Sequence, residues 1–434
     1  MNRFAKWMED VLAPPFQRLA GQRHMRSVRD GVVSTIPFII VGAFFLLAAF
    51  LPIGDGDYWQ KFLGPWYGWF LTAYGMTFGL AAIMAAFMIG YTLAMSYGVS
   101  GPHAGMLSIM AFLLFNPATD GKIPTDFLGP QGYFVAIVSA IFAVEVYRVL
   151  IQHQITIKMP AGVPPSVGGS FAALIPAAVV AIVVWFIREP LGFDPNAAVS
   201  TLMKPFVVAV DSYPGVVAYM LVWNFPWLLG VHGMIIDSVA DPITLGMLAG
   251  NAAAQTAGTE LPHIVTKNFY TIFAMTGGSG CTLALVFMLL RAKSARMRTI
   301  GRIELPLAIF QINEPIIFGL PVVLNPIMMI PFMLAPIAVA TVSYFAFWAG
   351  FVHKTFIMVP WAIPNPIAAY LSTGGDWKAI IVSLVNIGVA GLVWYPFFKI
   401  YDKQLTGEER AADEAEQEEQ RRLAPAPQVT PVPA

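Results

Sequence analysis

Residues 305–350 read LPLAIFQINEPIIFGLPVVLNPIMMIPFMLAPIAVATVSYFAFWAG, with one formal charge, Glu314, and prolines at Pro306, Pro315, Pro321, Pro326, Pro331 and Pro336. So apolar a stretch belongs in a bilayer. Prolines spaced this closely do not all fit one regular helix, because each removes a backbone donor and collides with the preceding turn. The expectation is a broken or re-entrant segment. Non-helical backbone at membrane depth persists only where protein or a water-filled cavity satisfies its polar groups, and a carboxylate there is costly. The stretch therefore reads as the lining of a polar site.

Composition agrees with a membrane setting. Hydrophobic residues make up 57% of the chain and charged residues 12%, and the mean hydropathy is +0.67, which together indicate an all-α polytopic membrane protein. Lys+Arg and Asp+Glu number 25 each, so net charge points to no nucleic-acid partner. The single cysteine, Cys281, and six dispersed histidines provide neither a disulfide framework nor metal-ligand spacing, so no metal site and no cofactor are expected. The N-terminus has no short apolar run followed by a small-residue cleavage site, and no removable signal peptide is expected.

Outward from the opening stretch, charge placement sets the topology. Residues 3–19 pattern as an amphipathic helix, lying on the membrane surface or on the protein's own cytoplasmic face. Arg23, Arg26 and Arg29 precede the uncharged run 31–51, which places the N-terminus in the cytoplasm. Further spans are expected at about 69–95, 101–117, 131–150, 170–187, 215–231, 237–257, 269–290, 327–350 and 379–398. That makes about ten, with 304–326 dipping in and out and 197–212 lying horizontally. Counting 237–257 as a crossing is what returns the cluster RAKSARMRTIGR, 291–302, to the cytoplasm. Glu145 and Arg148 are spaced to pair on one helix face. Past Phe398 the tail turns charged and then proline-rich, reading as a helix followed by a disordered cytoplasmic end.

Polar residues inside the membrane are the candidates for chemistry. Glu314 sits in QINEPIIFGLP beside Gln311 and Asn313, and its carboxylate suits hydroxyl groups as acceptor or base. A structural carboxylate bonded to freed backbone amides is the even alternative. His232, in NFPWLLGVHGMIIDS, is flanked by Gly230 and Gly233 and has the chemistry to donate, accept or shuttle a proton. Alone it reads as structural. Trp227 and Trp361 offer flat faces to sugar rings, against the usual interfacial packing of tryptophan. His103 and His263 lie near span ends, where surface or capping roles suffice. The glycines of MTGGSGC, 275–281, permit close backbone approach but lack the lysine of a phosphate loop.

NEPIIFGLPVVLNPIMMIPF, MPAGVPPSVGGSFAALIPA (159–177), GVHG (230–233), GGSGCTLAL (277–285) and PWAIPNPIAAYLSTGGDWKA (360–379) together resemble the sugar-permease component, enzyme IIC, of the phosphotransferase system, in its lactose/cellobiose/diacetylchitobiose branch. The resemblance runs from about residue 10 to residue 400. It implies a homodimer in the bacterial inner membrane with both termini cytoplasmic. It divides the chain into a leader (1–30), an N-terminal interface domain (31–195), a C-terminal elevator-type transport domain (196–400) and a tail (401–434). It puts the family's histidine on His232 and its glutamate on Glu314, with Asn313 beside it. Gln311, Gly233, Trp227 and Trp361 complete the expected sugar site.

The family activity implied is movement of a β-linked disaccharide whose 6-hydroxyl then receives a phosphoryl group from a phosphocysteine on enzyme IIB, itself served by enzyme IIA. Cys281 lies in an apolar run and the ends of the chain are short, so the donor is expected on a separate polypeptide. The basic segment 291–302 reads as topological anchoring or as part of the docking face. A proton-coupled symporter, with Glu314 and His232 as a relay, is the alternative. A sugar-binding membrane sensor is a weaker third reading.

Overall fold

In the computed structural model residues 14, 18, 21–51, 58–117, 124–125, 127–160, 164–320, 322 and 325–423 are described. The leader helix expected over 3–19 thus lies outside the described residues apart from Pro14 and Arg18, as does the proline-rich end. Every regular element among the described residues is helical.

Small residues set how the first helices meet. These are α1 (Arg23–Val33), α2 (Ile36–Ala49), α3 (Pro65–Thr77), α4 (Ala81–Ser96), α5 (Gly101–Phe115), α6 (Tyr133–Gln152) and α7 (Leu174–Arg188). Helix α4 packs on α1, α5 and α6, and α2 on α3. Ala81, Ala85, Ala86, Ala104, Ala111 and Ala136 are fully buried along these contacts. Helices in lipid gain little by hiding apolar surface from one another, so close backbone approach and dispersion drive their association. A Cβ on Gly90 would stand 2.1 Å from Ser108 Oγ, so that crossing accepts only glycine. At one end of the group Arg148 Nη2 pairs with Glu145 Oε2 at 2.7 Å, as the spacing implies. Glu145 Oε1 also accepts from the Tyr97 hydroxyl at 2.5 Å and lies 3.1 Å from His24 Nε2, tying α6 to the starts of the basic N-terminal segment.

The second group begins with α8 (Pro195–Val210), which bends by 88° into α9 (Tyr213–Leu228). Asp194 caps α8 through the amides of Asn196 and Ala197, and Ser212 caps α9 through Gly215. Next come α10 (Met234–Ala257), α11 (Leu283–Leu289), α12 (Ala295–Ala308), α13 (Glu314–Gly319), α14 (Pro326–Trp348), α15 (Asn365–Ser372) and α16 (Lys378–Leu423). Helix α14 packs on α9 and α16, while α11 and α15 pack on α16. Helix α10 packs on α1 and on the turn Pro130–Gly132, and so joins the two groups.

The opening stretch is broken, as its prolines require. Helices α12, α13 and α14 are separated at 309–313 and 320–325, with Pro315 and Pro326 in first turns, where a missing amide donor costs nothing. The expected count of about ten spans is not matched by length and composition. Among the described residues six helices are long and apolar enough, or seven with the bent α8–α9 pair. Three expected spans account for the difference. Helix α5 has 15 residues. Helix α10 has 24 but carries Asp237 and Asp241 near its start. The run 269–290 is not one helix: a π-helical turn, Phe269–Ala274, meets the glycine-rich turn 275–282 before α11. Positive φ at Gly277, Gly278, Gly280 and Cys281 breaks it.

Helix α16 continues for 46 residues from the last span into the charged tail. Its Asp402 accepts from the amides of Lys293 and Ser294 at 2.9 Å. Glu409 accepts from Ser294 Oγ at 2.6 Å and from the amides of Ala295 and Arg296. Two tail carboxylates thus satisfy the unpaired donors at the α12 N-terminus.

Candidate functional site

The loop after α9 positions His232. Pro226 lies in the last turn of α9, Gly230 takes φ 71° and the chain turns into α10 just past Gly233. His232 Nε2 lies 3.9 Å from Glu314 Oε1, and the two side chains are 45% and 44% exposed. Residues far apart in the chain, each ambiguous alone, therefore meet at an accessible point. Glu314 Oε2 has no hydrogen-bond partner among the described residues.

The neighbours expected to hold sugar divide into two kinds. Trp227 is 2% exposed and backs His232, ring centroids 4.1 Å apart. A Cβ on Gly233 would stand 2.7 Å from Trp223 O and 2.8 Å from Trp227 Nε1, so that glycine is what lets the histidine turn close over the tryptophans. Asn313 donates to Ser279 O at 2.6 Å and to Thr282 Oγ1 at 2.8 Å, fastening Glu314 to the glycine-rich turn. Gln311, at φ 64°, donates to the carbonyls of Trp361 and Ile363. It thereby fixes the segment that carries Trp361, which is half-exposed.

The glycine-rich turn is held from every side. Asn224 Oδ1 accepts from the Gly280 amide, Asn365 Oδ1 from the Gly277 amide, and Trp394 Nε1 donates to Gly280 O. Irregular backbone in a membrane must find such partners inside the protein. A Cβ on Gly278 would meet Asn313 at 2.8 Å, so this turn touches the Glu314 loop directly.

Sequence reasoning missed a buried charge cluster behind His232. Lys267 Nζ lies 3.3 Å from Asp237 Oδ1 and bonds Asp241 Oδ1. Asp237 also accepts from Trp223 Nε1 at 3.0 Å and from the Tyr219 hydroxyl at 3.3 Å. Trp223 in turn stands 6.5 Å from Trp227, centroid to centroid. A positioning chain thus runs from Lys267 through Asp237, Trp223 and Trp227 to His232. The available signal was the pair of carboxylates four residues apart in a stretch read as a crossing, which in a membrane calls for a cation partner. Away from these residues a cavity of about 420 Å³ opens between the end of α10 and residues 350–354, lined by Gln255, Glu260, His353 and Lys354 among others.

Residues 29–336 match the family model described as "Phosphotransferase system, EIIC". The cellobiose-specific EIIC component of Geobacillus stearothermophilus is 39% identical, over 95% of this chain and 97% of that one. The lichenan permease IIC component of Bacillus subtilis is 38% identical, over 94% and 96%. In structure, the chain is similar to the transporter ChbC, the IIC component from the N,N'-diacetylchitobiose-specific phosphotransferase system. The TM-score is 0.89 at 36% identity, covering 93% of this chain and 99% of that one.

Proposed function

The chain belongs to the EIIC family of the phosphotransferase system, and from that membership we propose that it carries a β-linked disaccharide of the cellobiose, lactose or chitobiose type across the bacterial inner membrane. There it holds the sugar's 6-hydroxyl for phosphorylation by a IIB partner, which is recharged by IIA. The observation that carries this reading is the His232–Glu314 pair. Its 3.9 Å separation lets one hydroxyl oxygen lie about 2.8 Å from both groups.

The chemistry then balances. The sugar O–H bond breaks as Glu314 takes the proton, with His232 orienting the hydroxyl. The oxygen forms its bond to phosphorus in line with the breaking P–S bond, and the IIB thiolate leaves. Cys281 is fully buried and donates its Sγ–H to Ala274 O, which supports placing the donor thiol on IIB. The exposed Arg291, Lys293, Arg296 and Arg302 suit a phosphate-bearing partner on the cytoplasmic face. That this face is cytoplasmic is supported by the tail carboxylates bound there.

The remaining features of the reading are an N-terminal group that dimerises and a C-terminal group that moves as an elevator, with ten crossings when α5, α10 and the broken 269–290 element are counted. Support comes from the packing of α10 against α1 and the Pro130–Gly132 turn, a surface along which the second group meets the first. The test compares uptake of radiolabelled cellobiose, lactose and diacetylchitobiose into vesicles holding phosphorylated IIB. Uptake of one sugar at least tenfold above the others names the substrate, and uptake of none contradicts the reading.

A further inference from the structure

The cavity at the end of α10 lies between two walls that are pinned to each other. One is the end of α10 and the loop after it, with Gln255, Thr259, Glu260 and Leu261, and the other is 350–354, with His353 and Lys354. Asn251, fully buried on α10, donates to His263 O at 2.8 Å and to Thr355 O at 2.9 Å. Thr266 Oγ1 and Thr355 Oγ1 are 2.6 Å apart, and Lys354 Nζ donates to Leu261 O at 2.6 Å. The space between the walls is thus formed before any ligand arrives, as in most small-molecule sites, and its volume of about 420 Å³ lies in their range.

The lining mixes donors and acceptors with apolar surface. Gln255 brings an amide, Thr259 a hydroxyl, Glu260 a carboxylate and His353 an imidazole, while Leu261, Phe347 and Val352 are buried apolar members of the lining. Sugar hydroxyls both donate and accept, and the C–H faces of the rings prefer apolar contact. Phosphate fits less well, because Lys354 is already engaged by Leu261 O and lies 3.9 Å from Glu260 Oε1. A metal ion fits no better, since no three His, Cys, Asp or Glu side chains among the described residues are grouped to hold one. The lining suits a neutral, hydroxyl-rich ligand.

The cavity lies at the end of the molecule away from the tail. Asp376, just before α16, accepts from the His353 amide at 2.8 Å, and Lys378 Nζ, on the first residue of α16, stands 5.6 Å from the Phe351 ring centroid. The carboxylates that bind α12 come from the other end of the same helix. Phe356 meets Phe50, just past α2, with ring centroids 5.8 Å apart. With the tail in the cytoplasm, this face is external. We propose that the cavity is an outer receiving site, where the disaccharide docks from outside before it reaches His232 and Glu314. The inference rests on the transport reading above.

The test uses the full chain in vesicles with phosphorylated IIB inside, and cellobiose, lactose or diacetylchitobiose added outside in turn. Wild type is compared with Gln255→Leu, which removes the amide but keeps its bulk, and with Gln255→Trp, which fills the space. For the sugar that wild type phosphorylates, both variants should need about tenfold more external sugar for half-maximal uptake, with the maximal rate within about twofold of wild type. Equilibrium dialysis of the purified chain in lipid with the same radiolabelled sugar should show a second sugar bound per wild-type chain, lost in both variants. Unchanged half-saturation in both variants would overturn the proposal, as would a lowered maximal rate alone, or a single bound sugar per wild-type chain that still forms sugar phosphate. Absence of any sugar phosphate from wild type would instead overturn the function reading, and this inference with it.

Discussion

Replacing Lys267 by Met separates a positioning role for the buried cluster from simple packing. Lys267 lies between two carboxylates, with side chains of Lys267, Asp237 and Asp241 only 11%, 10% and 4% exposed. At the 3.3 Å separation from Asp237, the attraction at an effective dielectric of 20 is about 5 kcal/mol. Removing one partner of a buried pair costs about 3–5 kcal/mol, because the charges left behind lose their counterion. Here two carboxylates of like charge are left without their cation. Asp241→Asn, by contrast, leaves a balanced Lys267–Asp237 pair and should cost about 1 kcal/mol. Combining Asp237→Asn and Asp241→Asn with Lys267→Met removes all three charges and should recover most of the loss. The assay is thermal unfolding of purified protein in lipid, alongside cellobiose affinity, since a loosened Trp223 should disturb His232. The reasoning is refuted if Lys267→Met melts like wild type, or if the triple variant is no more stable than Lys267→Met.

Glu314→Gln should cut phosphoryl transfer at least about 100-fold while cellobiose affinity changes only a few-fold; unchanged turnover removes its role as base. Gly278→Ala forces a Cβ to 2.8 Å from Asn313 at φ 85° and should cost about 1–3 kcal/mol, read as a lowered unfolding temperature; a neutral substitution would show that the turn is not pinned. Trp361→Ala should weaken sugar binding by about 1–2 kcal/mol without affecting stability. Trp227→Ala should cost about 3–5 kcal/mol of stability through the cavity behind His232, and calorimetry with unfolding curves on both variants distinguishes these outcomes.

Apolar runs and prolines made the helical membrane class legible, because burial in lipid imposes composition directly. The break around Glu314 was legible for the same reason. Less visible was the rupture of 269–290, where an uncharged run hides a turn whose glycines are anchored by Asn224, Asn365 and Trp394 from three other elements. Local sequence carries no trace of such distant partners. The meeting of His232 with Glu314 followed from the motif resemblance, whereas the structural duties of Asn313 and Gln311 depend on tertiary contacts. Glu304, on α12 and fully buried, escaped notice because its neighbours Arg302 and Ile303 are exposed, and a charge next to a basic segment reads as surface.

The most direct test follows the phosphoryl group itself. Vesicles containing the chain are loaded with IIB carrying ³²P on its cysteine, cellobiose, lactose or diacetylchitobiose is added outside, and the internal sugar is separated and identified. The account predicts the labelled 6-phosphate of one of these disaccharides inside, dependent on the chain and lost in Glu314→Gln. Unmodified disaccharide, accumulating with a proton gradient and without label, would contradict it and make His232 and Glu314 a proton relay.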